Sequence, residues 1–145
     1  MDKSTFVKER VHVYYWDYDL NCATTTLKTL SEFFDVELNS QVIDAAIGMH
    51  GAGGYQAQCG LVEGALMFVG ILGRAKGIPD KEIISFCKKL AGEFEKNFGS
   101  LLCKILRPEG FHPDNPPHLC EKLTSKAISK NIDLISSWLK QGESF

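Results

Sequence analysis

Apolar residues recur along this chain with the period of helices, not of strands. Residues 4–16, STFVKERVHVYYW, put Phe6, Val7, Val11, Tyr14 and Tyr15 on one helical face. The β-branched and aromatic content there also allows a strand; helix is the expectation. Asp17, Asp19 and Asn21 then offer capping oxygens to a second helix through CATTTLKTLSEFF, with Leu27, Leu30, Phe33 and Phe34 facing inward. Its threonines are weak helix formers, so packing must hold it. Asn39 or Ser40 can cap a third helix, SQVIDAAIGM, which ends at Gly48 or Gly51.

The stretch from Gly48 to Gly77 organises the rest. It holds nine of the 13 glycines, one cysteine (Cys59) and the longest apolar run. GAGG, at 51–54, can take left-handed backbone at little steric cost. A buried helix follows Cys59 and ends in the Gly70–Gly77 region. Gly60 and Gly64 lie one turn apart on it and leave a shallow groove for another helix or a bound group, which makes them candidate cofactor-binding positions. Pro79 with Asp80 and Glu82 starts the next helix, which spaces Ile83, Cys87, Leu90, Phe94 and Phe98 along one face. Gly99 breaks it, and Ser100 can cap a short helix, LLCKIL. Residues 107–118 contain four of the five prolines and form a loop. A final helix is expected from about Pro117 to Lys140, lined on one side by Cys120, Leu123, Ala127, Leu134 and Trp138. No repeat or linker interrupts the pattern. The expected fold is all-α: a single compact domain over residues 1–145, of about six helices with a Gly-rich turn and a Pro-rich loop.

Composition narrows function mainly by exclusion. At 145 residues, with 44% hydrophobic and 23% charged positions, the chain is long enough for a proper core. A formal net charge of -2 gives no electrostatic reason to expect nucleic acid or a membrane surface as partner. The first twenty residues carry charges and no apolar h-region, so no secretory signal is expected. The run Leu61–Leu72 is too short to span a membrane and is broken by Glu63. The expected location is cytoplasmic. GAGGYQ lacks the third glycine of a dinucleotide fingerprint, and no phosphate-loop, H-E-x-x-H or G-x-S-x-G motif occurs.

Five cysteines are many for such a chain. A reducing compartment turns them toward metal binding, redox chemistry or packing rather than permanent disulfides. None forms a C-x-x-C pair. Cys87 falls mid-helix in an apolar stripe and reads as a small buried hydrophobe. Cys22, Cys59, Cys103 and Cys120 instead fall in the first turn or so of expected helices. Unpaired amides and the positive dipole end stabilise a thiolate there, and a thiolate is both redox nucleophile and metal ligand.

NCA at 21–23, CGLVEG at 59–64, FGSLLC at 98–103 and the lone downstream Cys120 together resemble the redox-active four-cysteine family labelled C_GCAxxG_C_C, whose motif is CGAxxG. The resemblance covers about Tyr15 to Lys126. It implies that Cys22, Cys59, Cys103 and Cys120 are the characteristic cysteines and Gly60 and Gly64 the motif glycines. Leu61 stands where the motif has alanine and adds bulk beside Cys59; Cys87 is extra. Related domains occur attached to cytochromes, which implies electron transfer and cysteine-ligated iron.

Three readings follow. In the first, the four thiolates converge on an iron–sulfur cluster or iron, with zinc as the alternative metal, and exchange electrons with a redox partner protein. In the second the protein is a thiol–disulfide oxidoreductase, with Cys59 attacking and Cys22 or another of the four resolving. In the third it is a non-enzymatic helical module serving a partner protein, with a closed structural zinc site or none. Exposed apolar helix faces leave a homodimer open. His112 and His118 flank the proline loop and His50 adjoins the glycine turn; each is a candidate ligand or proton donor, with simple exposure the leading reading. Glu63 is a candidate base or supporting partner, with a solvent-facing position leading. Tyr14, Tyr15, Trp16 and Tyr18 offer an aromatic wall for a planar cofactor, with core packing leading.

Overall fold

Caps decide where the long helices start. The computed structural model describes residues 1–142. In it Asp2 accepts the Thr5 amide and opens α1, Lys3–Trp16. Asn21 accepts the Thr24 amide and opens α2, Cys22–Phe34. α3 is Ser40–Ala45, α4 Gly51–Gly54, α5 Gly60–Ala75, α6 Asp80–Phe98, α7 Cys103–Leu106 and α8 Glu121–Gly142. The all-α expectation holds, with eight helical segments among the described residues rather than about six. Pairing of the β type is confined, among those residues, to one isolated antiparallel bridge, Gln58 with Leu102.

The differences from the expected elements lie in the short pieces. α3 stops at Ala45 rather than near Met49. The Asn21 side-chain amide donates to the Ala46 and Ile47 carbonyls, and the chain continues there in tight i→i+3 turns. α4 is a left-handed turn: φ is +64°, +56°, +68° and +87° at Gly51, Ala52, Gly53 and Gly54. Ser100 does not cap α7. Its hydroxyl takes the Leu102 amide two residues on, and Leu102 holds the cap position without a side-chain bond. α8 starts at Glu121, not Pro117, because His118 has left-handed backbone, φ +59°. α6 starts and stops as its sequence predicts, between Pro79 and a left-handed Gly99.

α5 is the hub, packed against α2, α6 and α8, while α1 lies against α2 and α8. The main core joins Val7, Val11, Leu27, Leu30, Phe68, Leu72, Leu90, Ile128, Ile132 and Ile135 from these five helices. Each such side chain contributes roughly 1.5–3 kcal/mol by leaving water. The threonines of α2 are held by packing as expected: Thr24, Thr25, Thr26 and Thr29 are all buried. Phe33 departs from its expected inward position and is 39% exposed, resting on Phe6 and Phe34 instead. Cys87 is half-buried beside the main core. A second, smaller cluster of Cys59, Leu61, Val62, Phe94 and Ala127 packs with Cys22, Leu106 and Leu123 and floors the region described next.

Candidate functional site

Two glycines and a short backbone pairing bring four cysteines together. A side chain on Gly60 would put its Cβ 2.4 Å from Cys22 Sγ and 3.1 Å from the Ala23 nitrogen. The absence of one lets the first turns of α2 and α5 touch. One turn on, a Cβ at Gly64 would lie 2.6 Å from the Ala23 carbonyl oxygen. Of the two uses expected for this groove, the structure puts a helix in it.

Cys59 and Cys103 are joined by backbone. The Cys59 amide donates to the Leu101 carbonyl at 2.8 Å, and the Cys103 amide to the Ala57 carbonyl at 2.7 Å. Gly51 closes the other side of Cys103: a side chain there would put its Cβ 3.1 Å from the Cys103 Cβ and Sγ. Asn21 ties the same region together by capping α2 while its amide group also meets His50 Nδ1 at 3.2 Å.

Cys22, Cys59, Cys103 and Cys120 all line one cavity of about 640 Å³. Cys22 and Cys103 are the first residues of α2 and α7, and Cys59 is the cap of α5. Cys120 directly precedes α8, its carbonyl accepting the Thr124 amide at 2.8 Å. Every one of the four therefore sits at a helix start, as expected. Cys87 does not line the cavity.

The protonation state differs from the expected thiolates. Burial pushes all four thiols up, and at Cys22 and Cys59 it outweighs the helix-start amides. Cys59 is pushed up to about 11 by burial, against the pull of the Leu61 and Val62 amides and with further push from Cys103 and Cys120. Cys22 is raised further, by burial first and then by the charges of Cys59, Cys120 and Cys103. Cys120 is raised by burial and partly relieved by the charge and hydrogen bond of Arg107. Tyr15 is raised well above the usual phenol value by burial and then by Cys22. Among the described residues, no group of three or more His, Cys, Asp or Glu side chains is gathered so as to hold one metal ion.

The other candidates divide. His118 lines the cavity instead of standing exposed: its ring stacks on Tyr15 at 5.0 Å and 10° and reaches Asp19 at 3.4 Å. His50 also lines it, edge-on to Phe111. His112 is exposed. Glu63 lies outside the lining and accepts from Gln58. Of the aromatic wall only Tyr15 lines the cavity, with its hydroxyl 2.6 Å from Thr124 Oγ1. Tyr14 is buried, while Trp16 and Tyr18 are 49% and 66% exposed. Leu61 lines the cavity beside Cys59, so its bulk does face the site. Sequence reasoning missed Arg107, a cavity-lining cation; its signal was its place four residues after Cys103.

Fold and site together define a class: a helical protein with four thiols, one at each of four helix starts, on a single cavity. The chain belongs to the family described as "Putative redox-active protein (C_GCAxxG_C_C)", whose model matches residues 20–134. It matches no curated protein and no solved structure. No helix among the described residues is long and apolar enough to cross a membrane.

Proposed function

We propose that this protein carries electrons on an iron–sulfur cluster held by Cys22, Cys59, Cys103 and Cys120, and passes them to or from a redox partner protein. The observation that carries the proposal is the lining of one cavity by these four thiols and not by the fifth. Cysteine sulfurs alone make up the usual ligand set of [2Fe–2S] and [4Fe–4S] clusters. A single tetrahedral zinc ion would need all four sulfurs about 2.3 Å from one point. Among the described residues no three His, Cys, Asp or Glu side chains gather so as to meet that requirement.

The chain's own residues prepare the site in three ways. Burial and mutual repulsion oppose ionisation of four neighbouring thiols, so the set is stable as thiolates only around added positive charge. Helix-start amides, such as those of Leu61 and Val62 beside Cys59, favour negative charge on sulfur. Gly60 seats Cys22 and Gly51 seats Cys103, so both glycines serve the bound group through a ligand. When bound, the cluster supplies one-electron chemistry.

The thiol–disulfide reading draws on the same shared cavity, with Cys59 attacking a disulfide and Cys22 resolving the mixed disulfide. A thiol pushed up to about 11 is ionised only to roughly one part in ten thousand at pH 7, which disfavours that step. The test is anaerobic purification followed by iron, zinc and acid-labile sulfide analysis with a visible spectrum. Iron with sulfide is expected; zinc alone would favour the structural-zinc reading.

A further inference from the structure

We propose that the thiol cavity also binds a small organic carboxylate with an apolar body, the carboxylate being held by the Arg107 guanidinium. The proposal stands on the cavity itself and does not rest on the electron-carrying reading above. At about 640 Å³ the cavity has the size of small-molecule sites, which run from about 300 to 1,000 Å³. Leu20, Ile43, Ile47, Leu61 and Leu106 give it an apolar wall. Arg107 is half-buried in that lining, and a guanidinium stays charged at any pH the folded chain meets. Its place is set before a ligand arrives. Its Nε donates to the Gly110 carbonyl at 2.8 Å, and its guanidinium carbon stands 4.0 Å from the centre of the Phe111 ring. Its own carbonyl accepts from Gln56 Nε2 and from the Gly110 amide, each at 3.1 Å. Asn115 Nδ2 braces the same loop by donating to the Gly110 carbonyl at 2.8 Å.

A counter-ion is what Arg107 lacks. The chain has two other arginines, and each pairs with a carboxylate: Arg10 with Glu32 at 2.8 Å and Arg74 with Asp80 at 2.5 Å. Among the described residues no carboxylate forms an ion pair with Arg107. Asp19, the carboxylate on the cavity lining, stands 3.4 Å from His118 Nε2 instead. Glu109, two residues from Arg107, is exposed. A partly desolvated cation with no anion beside it is costly, and a bound carboxylate removes that cost. The guanidinium has five N–H donors, and the one on Nε is committed to Gly110. Phe111 lies against the guanidinium face, so a ligand reaches the terminal nitrogens edge-on, the direction in which two parallel N–H···O bonds form with a carboxylate. Inorganic phosphate would answer the charge but leave the apolar wall wet. A carboxylate with a hydrocarbon or aromatic body answers both.

The experiment is equilibrium dialysis of the full chain as purified against labelled benzoate, with benzamide and inorganic phosphate as comparisons. Benzoate is expected to bind at least about tenfold more tightly than benzamide, which keeps the ring and loses the charge, or phosphate, which keeps the charge and lacks the apolar body. Arg107→Gln is expected to lose about tenfold or more of the benzoate affinity. Arg107→Lys should keep part of it, having the charge without the fork, and Arg74→Gln should keep all of it. Absence of benzoate binding, equal affinity in Arg107→Gln, or equal affinity for either comparison compound overturns the proposal. A second measurement needs no variant: iodoacetamide labelling of reduced, metal-free wild-type protein, with Cys87, which lies off the cavity, as internal reference. Saturating benzoate is expected to slow Cys103 and Cys120 several-fold relative to Cys87, and an unchanged ratio overturns the proposal. Protein that takes up no iron or sulfide defeats the electron-carrying reading alone and leaves both of these measurements in force.

Discussion

Gly60 carries the tightest constraint near the thiols. A methyl group there would lie 2.4 Å from Cys22 Sγ and 2.9 Å from the Met49 carbonyl oxygen, and only one of these atoms is the end of a side chain. Gly60→Ala is therefore expected to cost about 1–3 kcal/mol, as overpacking does, and to displace Cys22. Urea unfolding and the metal content of the purified variant measure the two effects, and a variant with wild-type stability would refute the close approach. Cys87 supplies the contrast. Cys87→Ala is expected to leave iron content unchanged and to cost under about 1.5 kcal/mol, within the range of mild core swaps, whereas serine at any of the other four positions is expected to lower iron content sharply. At this scale the sequence was informative where residue type forces chemistry. Cysteines at helix starts and glycines one turn apart were both visible. The place of Arg107 on the cavity was not, because it depends on a loop that folds Gly110 and Phe111 around it. His118 was misjudged for a similar reason: its ring is covered by Tyr15, about a hundred residues earlier in the chain.

Among the elements, the left-handed turn Gly51–Gly54 is the most exacting. An alanine at Gly51 would carry the roughly 1–2 kcal/mol cost of left-handed backbone and press on Cys103 at 3.1 Å. Gly53 has the same sign of φ and open space around it, so Gly53→Ala isolates the backbone cost. Thermal unfolding should rank Gly51→Ala below Gly53→Ala, and only the former should also reduce metal content; equal effects would show that Cys103 is not seated by Gly51. The long helices were legible because caps and apolar periodicity agree, as at Asp2, Asn21, Pro79 and Gly99. The short segments were not. The pairing of Ala57–Cys59 with Leu101–Cys103 is too brief to show a strand's alternation, yet it joins two of the four cysteines. Just past the end of α3 the carbonyls meet Asn21, the cap of α2, which local pattern does not reveal.

On the scale of the whole molecule, five helices build a core around α5, and its glycine-bearing end meets α2, α7 and the start of α8 at the thiol cavity. Four buried thiols make stability depend on pH in the metal-free form. Cys59 is raised from 9.0 to about 11 in the folded chain, so folded protein holds this proton where unfolded protein has lost it. Stability is then full below about pH 9 and falls as pH rises toward 11, by on the order of 2–3 kcal/mol for Cys59. Urea midpoints at rising pH, with Cys59→Ser as the flatter control, measure this; midpoints independent of pH over that window would contradict the burial of the thiol. Metal uptake should release protons from the same thiols and strengthen as pH rises. The most direct test of the central claim is iron and acid-labile sulfide analysis of anaerobically purified protein, with a visible spectrum before and after dithionite. Iron and sulfide are expected in comparable amounts, with a thiolate-to-iron absorption that bleaches on reduction. Colourless protein that cannot be reconstituted with iron and sulfide would contradict it.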